Sequence, residues 1–193
     1  MIRHLAIWLS RILHPLLISP IVLFVVVHQE GGQLGTAAAW VGLALLIIVV
    51  PAAAWTGQQI RRGTVSSWSI PLRQDRHRLY ALGLGSLAVY LLLLYLMGGP
   101  QIAFASIYAA ALAAFLSALV NRYLTKISLH ALALTGCAAI LLITGLQLPA
   151  LFAFITLPFL FWSRWFLREH SLVQLGLGAL IAGGSVMVVL GTG

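Results

Sequence analysis

No side chain in residues 79–121 carries a formal charge, and the same holds for residues 127–163. Stretches of that length cannot form the surface of a soluble domain. Charged residues make up 7% of the chain, against about 25% in an ordinary soluble domain. The chain therefore reads as an all-α, polytopic membrane protein, in one integral domain over residues 1–193, with its apolar surface against lipid and neighbouring helices. A membrane span needs about 20 apolar residues, with about 17 as the lower limit. On that measure the spans fall near residues 12–27, 34–55, 79–97, 102–120, 129–146, 150–162 and 172–190. That makes seven spans, or six if the first segment is re-entrant or lies in the interface. Pro15 and Pro20 make the start of the first irregular, and Gly98-Gly99-Pro100 breaks the chain after the third.

Three polar segments interrupt the apolar pattern: residues 57–78, 121–128 and 163–171. Two crossings separate each from the next, and an even number of crossings returns a chain to the same face. The three segments and the N-terminus are thus expected on one side. All eleven Lys and Arg lie there, while the other side offers Glu30, Gln33, Gln101 and Gln147. The positive-inside bias makes the basic side cytoplasmic. The net charge of +8 is spread over these short loops, which does not suggest nucleic-acid binding. Arg3, His4 and Arg11 precede an apolar stretch as in a signal peptide. No small-residue cleavage site follows, so the segment is expected to be a retained span. The single cysteine, Cys137, excludes a disulfide within the chain.

Polar groups at the end of a span are costly to desolvate and point to function. The third segment reads Ser163-Arg164, five residues, His170, three residues, Gln174. The second reads Lys126-Ile127-Ser128-Leu129-His130, and the first contains Arg73-Gln74-Asp75-Arg76-His77-Arg78. Arginine offers a planar fork matched to phosphate, and fixed cations stabilise the charge of a phosphoryl-transfer transition state.

The order and spacing of these segments resemble the type 2 phosphatidic acid phosphatase superfamily, in a divergent form of bacterial or archaeal type. Ser163, Arg164 and His170 match its third signature, SRxxxxxHxxxD, with Gln174 in place of the Asp. Ser128 and His130 match the SxH of its second, with Ile127 and Leu129 in place of Pro and Gly. The 73–78 cluster sits where its first signature lies without fitting that pattern. The resemblance spans roughly residues 70–180. It implies a haloperoxidase-like helical core and a metal-independent phosphatase acting on a membrane lipid phosphate or diphosphate. Phosphatidate, phosphatidylglycerophosphate and polyprenyl phosphates are the classes it suggests, in a prokaryotic plasma membrane.

The resemblance further implies that His170 attacks phosphorus, that His130 protonates the leaving alcohol and then activates water, and that the residue at Gln174 orients His170. Arg164 and one or two of Arg73, Arg76 and Arg78 would clamp the phosphate, with Ser128 and Lys126 adding donors. Asp75 is a candidate to supply the charge Gln174 lacks. No cofactor is implied, and the three acidic residues Glu30, Asp75 and Glu169 make a poor site for a hard cation. Other readings stay open. The same residues fit a lipid phosphotransferase, or a non-catalytic headgroup binder or transporter. Ser128 is also a good helix N-cap. The 73–78 cluster also fits a plain basic loop against anionic headgroups. His4, His14, His28 and His77 read as structural or solvated. Trp68, Trp162 and Trp165 read as interfacial belt residues. Gly83, Gly85, Gly176, Gly178, Gly183 and Gly184 read as points of close helix packing.

Overall fold

A computed structural model describes residues 1–31, 33–63 and 76–191. Among these residues all regular structure is helical. The helices are α1 (Ile2–Ile12), α2 (Pro15–Gly31), α3 (Leu34–Ala44), α4 (Val50–Arg61), α5 (Arg76–Met97), α6 (Gln101–Tyr123), α7 (Leu129–Ile143), α8 (Gln147–Phe166) and α9 (Leu172–Leu190). A π-helical turn, Leu45–Val49, joins α3 to α4 into one 28-residue rod, Leu34–Arg61. Pro51 stands two residues beyond it. A proline has no N–H to donate and its ring crowds the carbonyl four residues back, and a π turn is one way a helix absorbs that conflict.

Five helices are long and apolar enough to cross a membrane: Leu34–Arg61, α5, α6, α8 and α9. The pair α1 and α2, bent by 44° between Ile12 and Pro15, makes a sixth if taken as one span. The expected seventh rests on α7, an apolar helix of only 15 residues. It stops at Ile143 rather than near residue 146 because Gly145 turns the chain there, with φ of +79°. Its C-terminus packs beside the start of α8, with Ile140 and Leu141 in one apolar cluster with Ala150.

The core has two centres that share α2 and α6. Leu23, Val27, Ala37, Leu87, Tyr90, Leu94 and Ile107 pack α2, α3, α5 and α6 together. Val26, Ala109, Ile140, Leu141, Ala150 and Val186 join α2 and α6 to α7, α8 and α9. Outward-facing positions are also apolar, including Leu92, Phe115, Phe152, Phe159, Leu180 and Val188. A large apolar exterior over an apolar interior fits an integral membrane protein.

The described parts of the polar segments gather at one end of this bundle. The helices α2, α5, α7 and α9 begin there, and α4, α6 and α8 end there. At the far end Glu30 accepts the Ile102 amide on both carboxylate oxygens, at 3.2 and 3.1 Å, capping the start of α6. Acid at a helix N-terminus is favourable because the unpaired N–H groups carry partial positive charge.

Candidate active site

The end of α8 is shaped by a single left-handed residue. Arg168 has φ of +56°, and the amides of Glu169 and His170 turn back to the Arg164 carbonyl at 3.1 and 3.3 Å. A non-glycine residue in that region is uncommon and costs backbone energy. The turn stops the helix within one residue and brings His170 inward, 5% exposed, while Arg168 itself faces out. Ser171 then caps α9 and forms a capping box with Gln174: the Gln174 amide donates to Ser171 Oγ at 3.3 Å, and the Ser171 amide donates to Gln174 Oε1 at 3.2 Å.

That box sets the state of His170. Gln174 Oε1 must be the acceptor, because the Ser171 N–H facing it can only donate. Gln174 Nε2 donates in turn to Thr125 Oγ1 at 3.0 Å. His170 Nδ1 lies 3.2 Å from the same Oε1 and so carries the proton. The neutral ring then has its lone pair on Nε2, the atom a nucleophile would use. Burial holds the His170 pKa down to about 3, helped by the charges of Arg76, Arg164 and Lys126 and opposed by the bond to Gln174. Lys126 is also lowered, first by burial and then by Arg76 and Arg164, with Glu169 opposing.

The other components come from α1, α5 and the start of α7. Arg164 is 3% exposed. It donates to Ser10 Oγ at 2.7 Å and stands 3.8 Å from the Glu169 carboxylate. Its neighbour Ser163 donates to the Ala6 carbonyl at 2.7 Å, so α1 is bolted to the end of α8 by two buried bonds. Arg76, at the first turn of α5, donates to the Ile127 carbonyl at 2.6 Å and thereby ties α5 to the loop before α7. Ser128 caps α7 by accepting the Ala131 amide at 3.4 Å. A glycine on α9 makes this junction possible: a Cβ at Gly178 would sit 2.9 Å from the Ser128 carbonyl oxygen. His130 follows in the first turn of α7, with its Nε2 buried and without a partner among the described residues.

His14, Thr56, Arg76, His130, Arg164 and His170 line one cavity of about 100 Å³, with room for several waters or one phosphoryl group. Its walls at Pro15, Leu16 and Leu129 also bound a second cavity of about 320 Å³. The larger cavity runs into the bundle between α2, α5, α6, α7 and α9, and its lining is almost wholly apolar.

The structure thus brings together His130, His170, Arg164 and Arg76, with Gln174 directly behind His170. Other expected residues are placed differently. Ser128 does not line the cavity, and its hydroxyl is used as an N-cap. Lys126 is half-buried beside the site without lining it. Arg78 is exposed, because two residues on from Arg76 a helix has turned to its opposite side. Arg73, Asp75 and Trp68 lie outside the described residues. Of the six glycines read as packing points, Gly178 allows a close approach, Gly183 makes ordinary contact with Thr135, and Gly83, Gly85, Gly176 and Gly184 have nothing within 4 Å of a built Cβ.

Sequence reasoning missed Ser10, His14 and Thr56. The signal for His14 was present: a polar residue followed by proline at the head of an apolar run marks a helix start, and the even-crossing count already put that start on the basic face. No protein-family model matches this chain, and neither the curated proteins nor the solved structures give a match.

Proposed function

We propose that this chain is a membrane-embedded lipid phosphate phosphatase that works through a phosphohistidine. The observation that carries this reading is the His170 network: a neutral histidine with its proton held on Nδ1 by Gln174 and its ring at the wall of a cavity that also holds two arginines and a second histidine. A phosphomonoester dianion suits that cavity. Burial first, and then the charges of Arg76, Arg164 and Lys126, keep His170 unprotonated, and the same charges attract the anion. The first turns of α5 and α7 point their positive ends the same way.

In the first step the Nε2 lone pair of His170 attacks phosphorus. The P–O bond to the lipid alcohol breaks, and His130, which takes up a proton as the dianion binds and enters the step as the imidazolium, delivers that proton to the departing oxygen and becomes neutral. In the second step His130 takes a proton from water, whose oxygen attacks phosphorus. The P–N bond breaks, which frees inorganic phosphate and restores neutral His170. Arg76 and Arg164 stabilise charge on the transferring group throughout, where fixed donors are worth most because they need no reorganisation. No step is assigned to a metal. The apolar cavity that shares walls with the polar one gives the first part of a lipid tail a place inside the bundle, which favours amphiphilic substrates over soluble phosphates.

The test is release of inorganic phosphate by purified protein from phosphatidate and from a polyprenyl diphosphate in mixed micelles containing EDTA. Wild type is expected to turn over at least one of them, and His170→Ala is expected to lose activity by several orders of magnitude. Radiolabelled substrate should leave acid-labile, base-stable label on wild type. Undiminished turnover by His170→Ala would remove the proposed nucleophile. A lipid-alcohol acceptor that captures the phosphoryl group in preference to water would assign the site to a phosphotransferase.

A further inference from the structure

Three histidines face the polar cavity, and the mechanism above uses two. His14 stands between α1 and α2, far in sequence from the segments that carry the site. Its ring meets that of His130 edge-on, with centroids 5.0 Å apart and planes at 86°. Its Nδ1 accepts the Leu16 amide at 3.2 Å, in the manner of an N-cap for α2. A ring nitrogen that accepts a backbone N–H cannot carry a proton, so in neutral His14 the proton sits on Nε2. That donor points away from the helix it caps. It does not satisfy His130, whose buried Nε2 has no partner among the described residues. Capping alone does not call for histidine, since Ser, Thr, Asp and Asn do it better.

We propose that His14 is a substrate-binding residue whose Nε2–H donates to a phosphoryl oxygen in the polar cavity. The assignment rests on reading that cavity as a phosphate site. It makes the bent pair α1–α2 part of the site in two ways: Ser10 holds Arg164, and His14 supplies a neutral donor in the cavity that the arginines also line. Arginine at this position would add a third buried cation and could not accept the Leu16 amide. A neutral imidazole does both jobs, one with each nitrogen.

Two substitutions separate the jobs. His14→Asn places a carbonyl oxygen near the position of Nδ1, keeps the cap and loses the donor. His14→Gln places an amide N–H near the position of Nε2 and keeps the donor at the expense of the cap. Each is made in the full chain, and two quantities are measured: the Kd for inorganic phosphate by calorimetry and the KM for phosphatidate in mixed micelles. A hydrogen bond to a charged group of this kind corresponds to about a tenfold change in affinity. His14→Asn is expected to raise both quantities about tenfold with kcat changed less, and His14→Gln to stay within about threefold of wild type. A His14→Asn protein equal to wild type, or equal losses in both variants, would reduce His14 to a cap and overturn the proposal. Absence of phosphate binding by wild type would overturn it too. Failure of the phosphatase reading looks different: wild type binds phosphate, His14→Asn weakens that binding, and no lipid phosphate is hydrolysed by either.

Discussion

One carbonyl oxygen, Gln174 Oε1, accepts from both the His170 ring and the Ser171 amide. A carboxylate there would add charge, but an amide suffices to hold the ring proton on Nδ1. Gln174→Leu removes the acceptor and releases the tautomer. It is expected to lower kcat by about 10²-fold with little change in KM, the scale on which positioned acid–base partners act. Gln174→Glu keeps the acceptor and adds charge that stabilises a cationic ring, so it should retain activity in the same steady-state assay. The depressed pKa of His170 has its own consequence. At about 3 against an ordinary 6.5, the ring is neutral in the free enzyme across the whole physiological range. Any acid-side fall in kcat/KM near pH 6 then belongs to the substrate, whose second phosphate ionisation lies near 6. Substrates with different phosphate pKa values should move that limb with them; a limb that stays fixed would assign it to the protein. The sign for stability follows from proton binding. Below pH 6.5 the unfolded chain takes up a proton that folded His170 refuses, so stability is lost as pH falls from about 6.5 towards 3.

The elements differ in how far their neighbours could be read from sequence. The bounds of α9 match expectation at both ends, because Ser171 and Gln174 form a capping box and the apolar run then continues to Leu190. Pro15 marked the break in the first span, but the short α7 was less legible, since apolar periodicity does not say where packing makes a helix stop. The site residues divide in the same way. His130, Arg164 and His170 stood out because charge and histidine are rare at span ends. Ser10 did not, because its role depends on α1 lying against α8, a contact no local pattern encodes. Gly178 shows how an element can control the site at a distance. It lets α9 approach the Ser128 carbonyl at the start of α7, the helix whose first turn carries His130. Gly178→Ala should destabilise the fold by about 1–3 kcal/mol, the usual effect of overpacking. Gly178→Leu should abolish phosphate release by parting α9 from α7. Thermal unfolding in detergent and phosphate release, measured side by side, check both. Full activity in Gly178→Leu would mean that the two helices need not meet here.

For the whole molecule, five helices among the described residues are long and apolar enough to cross a membrane, or six with the bent pair α1–α2, and α7 with its 15 residues is shorter. Every Lys and Arg in the described residues falls at the end that holds the cavity, and Glu30, Gln33, Gln101 and Gln147 fall at the other. If that asymmetry sets orientation, the cavity faces the cytoplasm and receives lipids from the inner leaflet. A labelling experiment decides it. The one native cysteine, Cys137, is buried in the bundle and should give little background. Arg62 and Gln33 are both exposed, at opposite ends and away from the cavity lining. Gln33→Cys is expected to react with a membrane-impermeant maleimide on intact cells. Arg62→Cys should react only after the membrane is opened or inverted. The reverse pattern would put the cavity on the outer side, where its substrates would have to be lipids already moved across the bilayer. It would also mean that these basic residues serve the anion they bind rather than the orientation of the chain.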